Sequence, residues 1–147
     1  MSEVVMRGMV VVGVDGSGTA RKAAEQARDL AAALGASLHV VSAFDSDRTG
    51  VFGSGSDQVV VSDEDNAENA ARLVANSLKG DVPVTYAAIR GRAADALIKE
   101  AERIGARIIV VGNRRMHGVG RMLGSIANSV AHNAPCDVYI ANTYGTD

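Results

Sequence analysis

Ile108 to Ile126 of this chain reads IIVVGNRRMHGVGRMLGSI. Its first four residues, Ile108 to Val111, are β-branched and apolar, which predicts a strand buried on both faces. A loop rich in glycine and arginine follows, and Ser125 stands where the apolar periodicity of residues 126–134 predicts that a helix begins. Glycines let a ligand approach the backbone, and the first N–H groups of a helix have no internal acceptors. The combination is suited to binding an anion such as phosphate, although a merely solvated connection is equally common for such a loop taken alone.

Length and composition limit the classes of protein to consider. A chain of 147 residues suits a single domain, so we expect residues 1–147 to form one domain. The net charge of -2 and the aromatic content of 3% argue against a nucleic-acid partner, which needs basic surface or stacking platforms. No apolar run approaches the roughly 18 residues of a membrane span, and the first residues lack the apolar core of a signal peptide. We therefore expect a cytoplasmic protein with no nucleic-acid or membrane partner.

Strand and helix patterns alternate along the whole chain. The apolar runs that predict strands are Met9–Val14, Ser37–Phe44, Val82–Ile89, Arg107–Val111 and Cys136–Ala141. The amphipathic stretches that predict helices are Thr19–Leu34, Ser62 (as N-cap) to about Leu78, Ala93–Ile104 and Ile126–Ala134. This order favours parallel pairing through right-handed crossovers. The sequence therefore predicts an α/β fold, a three-layer α/β/α sandwich around a five-stranded parallel sheet.

The segment between the second strand and the second helix is the least informative. Asp45 to Gln58 is rich in Gly, Ser and Asp, which predicts a surface loop and leaves open whether it is disordered. Val59 to Val61 suits either a short extended segment or the end of that loop. Pro83 lies near the start of the third predicted strand, so regular pairing should begin after it and a position at the sheet edge is favoured.

The carboxyl ends of the predicted strands indicate where a ligand would bind. In open parallel sheets, ligands bind outside these ends, where the strand order reverses. Asp15, Ala43 and Gly112 each fall at the carboxyl end of a predicted strand. We therefore expect these three residues to converge on one site.

Three features of the chain resemble a known family, and the resemblance covers essentially the full length of the chain. They are the run VGVDGS at Val12–Ser17, Gly91 with Ala94, Leu97 and Ile98 at the third helix, and the loop that ends in Gly124–Ser125. The chain resembles the universal stress proteins, whose nucleotide-binding members carry a loop of pattern G-x2-G-x9-G-[S/T] around the ribose and triphosphate of ATP. The resemblance implies a Rossmann-like domain, similar to the adenine nucleotide α-hydrolases, that binds ATP, AMP or cyclic AMP, with Mg²⁺ accompanying ATP.

The resemblance also implies which residues form the nucleotide site. They are Val14, Asp15, Ala43, Gly112, Asn113, Arg115, Gly124, Ser125 and Ile126. By position, Asp15 would meet the nucleoside, the backbone at Ala43 would read the adenine edge, and Gly112 is the first glycine of the loop pattern. The chain departs from the pattern in having Arg115 at the second glycine and only eight residues before Gly124. Because an arginine adopts positive φ poorly, this departure either weakens the site or adds a cation to it.

Several of these residues also have ordinary structural roles. Asp15 could cap the first helix or its turn together with Ser17, and Ser125 could be a simple N-cap. His39 lies inside a buried strand, which is typical of a core histidine with satisfied hydrogen bonds. The three histidines have no metal-ligand spacing, and the single cysteine, Cys136, has no companion. We expect no metal site and no catalytic residues.

The last predicted strand suggests how the chain assembles. In the resembled family the fifth strand lies at a sheet edge and pairs with its copy in a second subunit. An exposed apolar edge at Val138 to Ile140 favours such cover, although the tail from Asn142 to Asp147 could shield it instead.

Three functions remain to be distinguished. The first is a homodimer that binds ATP and acts in a stress response without turning over a substrate. The second is a dimeric scaffold or interaction protein of the same fold that binds no nucleotide. The third, a slow ATPase or a relative of the pyrophosphatase-type α-hydrolases, is the weakest, because residues 15–19 do not match the SGGxDS loop of those enzymes.

Overall fold

The computed structural model of the protein describes residues 8–46, 49–52, 59–113 and 123–145. In these ranges the chain forms seven strands and four helices. The strands are β1 (Met9–Gly13), β2 (Ser37–Phe44), β3 (Thr49–Phe52), β4 (Val59–Ser62), β5 (Val84–Arg90), β6 (Ile108–Asn113) and β7 (Asp137–Asn142). The helices are α1 (Gly18–Leu34), α2 (Asp63–Ser77), α3 (Ala93–Ile104) and α4 (Ser125–Asn133).

Five of the strands form one parallel sheet in the order β5-β2-β1-β6-β7. The central strand β1 pairs with β2 on one side, Val10 opposite Leu38, and with β6 on the other, Val10 opposite Ile108. The prediction of a five-stranded parallel sheet is confirmed. Regular pairing of β5 begins at Val84, directly after Pro83, and β5 lies at a sheet edge, as the proline indicated.

Two apolar layers cover the sheet, one on each face. The first packs side chains such as Val10, Val12 and Val40 against alanines of α1 and α2. The second packs Val11, Val41 and Ile109, among others, against α3 and α4. Alternate residues of one strand therefore enter different cores, which explains why the central strands are apolar throughout rather than alternating. The three-layer sandwich is confirmed.

A small hairpin replaces part of the loop expected between Asp45 and Gln58. β3 pairs with β4 in antiparallel register, Thr49 opposite Ser62 and Phe52 opposite Val59. The expectation of a surface loop was thus wrong for residues 49–52, and the two interpretations of Val59 to Val61 are decided in favour of a strand. The short β3 owes its order to pairing with β4, a contact that its own glycine-rich surroundings do not signal.

Helix α1 lies close to the end of β6 because Gly112 has no side chain. A Cβ at Gly112 would lie 3.3 Å from the Ala23 Cβ and 3.3 Å from the Thr143 Cγ2. Thr143, just after β7, is fully buried there, and its hydroxyl has no hydrogen-bond partner among the described residues. A buried hydroxyl without a partner costs free energy that an apolar group of the same shape would not.

The Thr143→Val variant should therefore be more stable than the wild type, by about 1 kcal/mol in the free energy of unfolding. Urea denaturation at pH 7 measures the difference. Thr85→Val is the matched control, since the Thr85 hydroxyl lies 2.7 Å from the His39 Nδ1 and its removal should lower stability. A loss of stability in Thr143→Val would show that its hydroxyl is satisfied in solution.

Candidate functional site

A cavity of about 390 Å³ opens at the carboxyl ends of β1, β2 and β6. Its lining comes from these strand ends and from the first turns of three helices. The lining residues are Gly13, Val14, Asp15, Ser17, Thr19, Ala20, Val41, Ala43, Ala93, Leu97, Val111, Gly112, Asn113, Gly124, Ser125, Ile126 and Ala127. This is where the order β2-β1-β6 requires the chain to cross to opposite sides of β1, the usual ligand position in such sheets.

The structure brings together eight of the nine residues predicted for the nucleotide site. Val14, Asp15, Ala43, Gly112, Asn113, Gly124, Ser125 and Ile126 all line the cavity. The expected convergence of Asp15, Ala43 and Gly112 is thus observed, whereas a ligand role for each residue stays a prediction. The ninth, Arg115, lies outside the described residues, as do Arg114 and His117.

Residues of the cavity that the sequence analysis did not select come mostly from helix starts. Ala93 is the first residue of α3, and Leu97 follows one turn later. Val41 lies two residues before Ala43 and therefore on the same face of β2. This two-residue periodicity could have identified Val41 in advance, whereas the approach of α3 to the strand ends depends on tertiary packing.

Three helix N-termini meet at this cavity. The first turn of α1 contributes Thr19 and Ala20, that of α3 contributes Ala93, and that of α4 contributes residues 125–127. Neither α1 nor α4 carries an acidic residue in its first turn, while α3 carries Asp95. Because each helix start bears partial positive charge and outward N–H groups, the cavity is suited to an anionic ligand.

Asp15 has the structural role that the sequence analysis weighed against ligand binding. Its Oδ1 accepts a hydrogen bond from the Ser17 N–H at 2.9 Å, and the Ser17 Oγ accepts one from the Ala20 N–H at 3.1 Å. Ser17 is therefore the N-cap of α1, and Asp15 holds the turn before it. The Asp15 side chain is nevertheless exposed at the cavity, and its Oδ2 has no hydrogen bond to a described residue.

Asn113 and Gly124 join the two ends of the glycine-rich loop. The buried Asn113 Oδ1 accepts a hydrogen bond from the Gly124 N–H at 3.0 Å. Gly124 is the N-cap of α4, so the prediction that Ser125 could be the N-cap was wrong; Ser125 is the first helical residue. The side chain of Asn113, from another element, bonds the N-cap amide, which a local sequence pattern does not reveal.

This arrangement determines which backbone N–H groups at the start of α4 have no acceptor within the helix. The first bond within the helix joins the Asn128 N–H to the Gly124 carbonyl at 2.9 Å. The N–H groups of Ser125, Ile126 and Ala127 consequently have no intrahelical acceptor, and all three residues line the cavity. The Gly124 N–H, by contrast, is occupied by Asn113.

A buried polar network lies on the α3 side of the sheet. The His39 Nε2 is 2.7 Å from the Glu100 Oε2, and the His39 Nδ1 is 2.7 Å from the Thr85 Oγ1. Arg103 donates two hydrogen bonds to the Glu100 carboxylate, at 2.6 and 2.8 Å. The prediction of a core histidine with satisfied hydrogen bonds is confirmed. The sequence analysis missed Glu100. Its position three residues after Leu97, on the apolar stripe of α3, already indicated that this carboxylate is buried.

The position of this network indicates a structural role. The order hydroxyl, imidazole and carboxylate is that of a hydrolase triad. None of its residues lines the cavity, and the imidazole and the carboxylate are buried, with 6% and 2% of His39 and Glu100 exposed. The Arg103 guanidinium lowers the pKa of Glu100 from 4.5 to about 2, against the effect of burial and with help from His39.

Three further features of the described residues bear on other kinds of function. No group of three or more His, Cys, Asp or Glu side chains is placed to hold a metal ion there. Burial raises the pKa of the Cys136 thiol, and the neighbouring Asp137 adds to this, so the thiol is a poor nucleophile. In the same part of the chain, each helix is too short or too polar to cross a membrane.

Comparison with known proteins identifies the family. The profile of the Universal stress protein family matches residues 6–142, so the chain belongs to this family. It is 30% identical to Universal stress protein A homolog 1 of Coxiella burnetii, over 88% of this chain and 92% of that protein. It is 34% identical to a Mycobacterium tuberculosis universal stress protein, over 90% of this chain but only 44% of that longer protein.

Solved structures of the family agree with the fold. A universal stress protein in complex with cAMP is 28% identical, with a TM-score of 0.70, over 92% of this chain and 97% of that one. The Archaeoglobus fulgidus universal stress protein in complex with dAMP is 21% identical, with a TM-score of 0.67, over 94% and 98% of the two chains. The second likeness supports the fold alone.

The low pKa of Glu100 predicts a specific loss of stability in acid. Because its pKa is lower in the folded than in the unfolded protein, its contribution is complete above about pH 4.5 and is lost as the pH falls towards 2. Between pH 6 and pH 3 this group should account for about 2 kcal/mol of the lost free energy of unfolding. Urea denaturation of wild type and Glu100→Gln at both pH values measures it. Parallel losses in the two proteins would refute the assignment.

Proposed function

We propose that this member of the universal stress protein family binds an adenine nucleotide in the cavity at the carboxyl ends of β1, β2 and β6. The observation that carries the proposal is the meeting of three helix N-termini at one cavity. Its volume of about 390 Å³ falls within the roughly 300–1,000 Å³ of small-molecule sites. The 28% identical universal stress protein is in complex with cAMP, which supports the adenine class.

The phosphates would lie at the start of α4. Ser125, Ile126 and Ala127 line the cavity, their N–H groups have no intrahelical acceptors, and the helix dipole adds roughly 0.3–1 kcal/mol for a negative charge. Hydrogen bonds to a charged group contribute about 1.5–3 kcal/mol each. Three such bonds, less the cost of immobilising the ligand, make a dissociation constant on the order of micromolar reasonable.

The nucleoside would lie towards β1 and β2. Asp15 presents its Oδ2 at the cavity, which suits a ribose hydroxyl, and the backbone of Ala43 borders the same space. ATP would bring Mg²⁺ with it, whereas AMP or cyclic AMP needs only the helix start; a phosphate role for Arg115 stays a prediction. In this proposal the protein acts in a stress response by binding and is not an enzyme; its cytoplasmic location stays a prediction.

We also propose that the protein is a homodimer joined through β7. This strand is an edge of the sheet, and Tyr139 on it is 43% exposed. A second copy pairing with it would satisfy the open edge by symmetry. The Thr143 N–H points to the Asn113 carbonyl on β6 at 3.4 Å. This bond shows which backbone N–H groups of β7 point towards β6 and which point away from the sheet. Because N–H directions alternate, Tyr139 also donates towards β6, whereas Val138 and Ile140 donate outwards.

Nucleotide binding is tested by a charge placed at the first residue of α4. Ser125→Asp should keep or raise stability, because an acidic residue favours a helix N-terminus, yet should weaken AMP and ATP binding at least about tenfold by repelling phosphate. Ser125→Asn, of the same size without the charge, is the control. Calorimetry with AMP, ADP, ATP and cyclic AMP measures binding. If the wild type gives no heat with any of them at millimolar concentration, the nucleotide-free scaffold is the better function.

Proline substitutions at two neighbouring positions of β7 test the proposed dimer. Ile140→Pro removes an outward N–H and should give a folded monomer, with half the mass of the wild-type dimer of 15.2 kDa chains in light scattering. Tyr139→Pro removes a donor to β6 and should unfold or destabilise the sheet instead. A folded dimer of Ile140→Pro would place the interface elsewhere.

A further inference from the structure

We propose that Glu100 and His39 are positioning residues for nucleotide binding, because they hold α3 at the distance from the sheet that gives the cavity its width. This inference rests on the proposed function. Neither residue lines the cavity. They form the layer directly beneath it, and their effect on a ligand passes through α3.

The position of this layer follows from strand and helix periodicity. His39, Val41 and Ala43 lie on one face of β2, and the last two line the cavity. On α3, Leu97 lines the cavity and Glu100 lies three residues further on the same buried face. The bond between His39 and Glu100 therefore joins strand and helix one step below the cavity floor formed by Val41 and Leu97.

The part of α3 around Leu97 has little space to move towards the sheet. A Cβ at Gly13 would lie only 2.9 Å from the Leu97 Cδ1, so the helix already packs against the backbone of β1. Movement outwards is opposed by the apolar packing of Leu97 and Ala101 against the sheet and by the polar network. Glu100 is bound to β2 through His39, and His39 in turn lies 2.7 Å from the Thr85 hydroxyl on β5. Two strands thus hold one carboxylate of the helix.

Removal of the His39 donor would destabilise the present position of α3. The Glu100 carboxylate is 2% exposed, and a buried charge that loses a hydrogen bond is strongly destabilised. Arg103, whose side chain is 65% exposed, would still bind Glu100 and draw it towards solvent. That movement displaces the face of α3 that also carries Leu97 and so widens the cavity.

The test compares variants that differ in the donor at position 39. In His39→Leu the donor is absent, and we expect the dissociation constant for AMP to rise about 5–30-fold, within the usual range of coupling between two sites. In His39→Gln an amide N–H can replace the Nε2–H, and the constant should stay within about threefold of the wild type. If His39→Leu does not fold, His39→Phe, which also lacks the donor but keeps a ring, takes its place in the comparison with His39→Gln.

A control separates positioning from general stability. Val74→Ala removes buried volume on α2, in the core on the opposite face of the sheet. It should destabilise the protein but leave the AMP dissociation constant within about twofold of the wild type, provided that binding is measured where all variants are folded. Urea denaturation ranks the stabilities, and calorimetry at pH 7 gives the constants.

The possible results distinguish the positioning role from the proposed function. Wild-type affinity in His39→Leu overturns the positioning role and leaves the proposed function intact. Equal weakening in His39→Leu and His39→Gln, or in Val74→Ala, also overturns it, because shape or general stability would then be the cause. Absence of AMP, ADP, ATP and cyclic AMP binding by the wild type overturns the proposed function itself, and the inference with it.

Discussion

Burial of β1 on both faces is the constraint from which the rest of the structure follows. Val10, Val11 and Val12 are fully buried, which requires a layer of helices on each side of the sheet. The chain can supply two layers only by crossing from β1 to β2 on one side and reaching β6 on the other. The crossovers diverge above the end of β1, and the cavity opens at that divergence. The position of the cavity thus follows from the strand order of the fold.

For this reason the individual residues of the cavity are weaker evidence for a ligand than its architecture. Gly112 is required by the packing of Ala23 and Thr143, and Gly13 by that of Leu97. Asp15 holds the turn before α1. What these structural roles leave unexplained is a concave space bordered by three helix starts, and this is the feature on which the nucleotide proposal depends.

Local patterns predicted the elements and the fold, while features that depend on distant partners were missed. Apolar runs ended by turn residues revealed the five sheet strands, and the resemblance to the family gave eight residues that do line the cavity. The strand β3 was missed because only its pairing with β4 orders it. The N-cap of α4 was misplaced because Asn113, eleven residues away, bonds Gly124. Glu100 was overlooked because its partner His39 is distant in sequence.

The treatment of polar groups distinguishes the cavity from the core. Inside the core, the carboxylate of Glu100 is fully engaged by His39 and Arg103, so the protein satisfies a costly buried charge with its own donors. At the start of α4, the N-cap amide of Gly124 is the one that a described side chain bonds, and the next three N–H groups have no intrahelical acceptor. A chain that can satisfy Glu100 internally could also have placed an acidic residue in the first turn of α4. It has none there, which supports the proposal that these donors bind a negatively charged ligand.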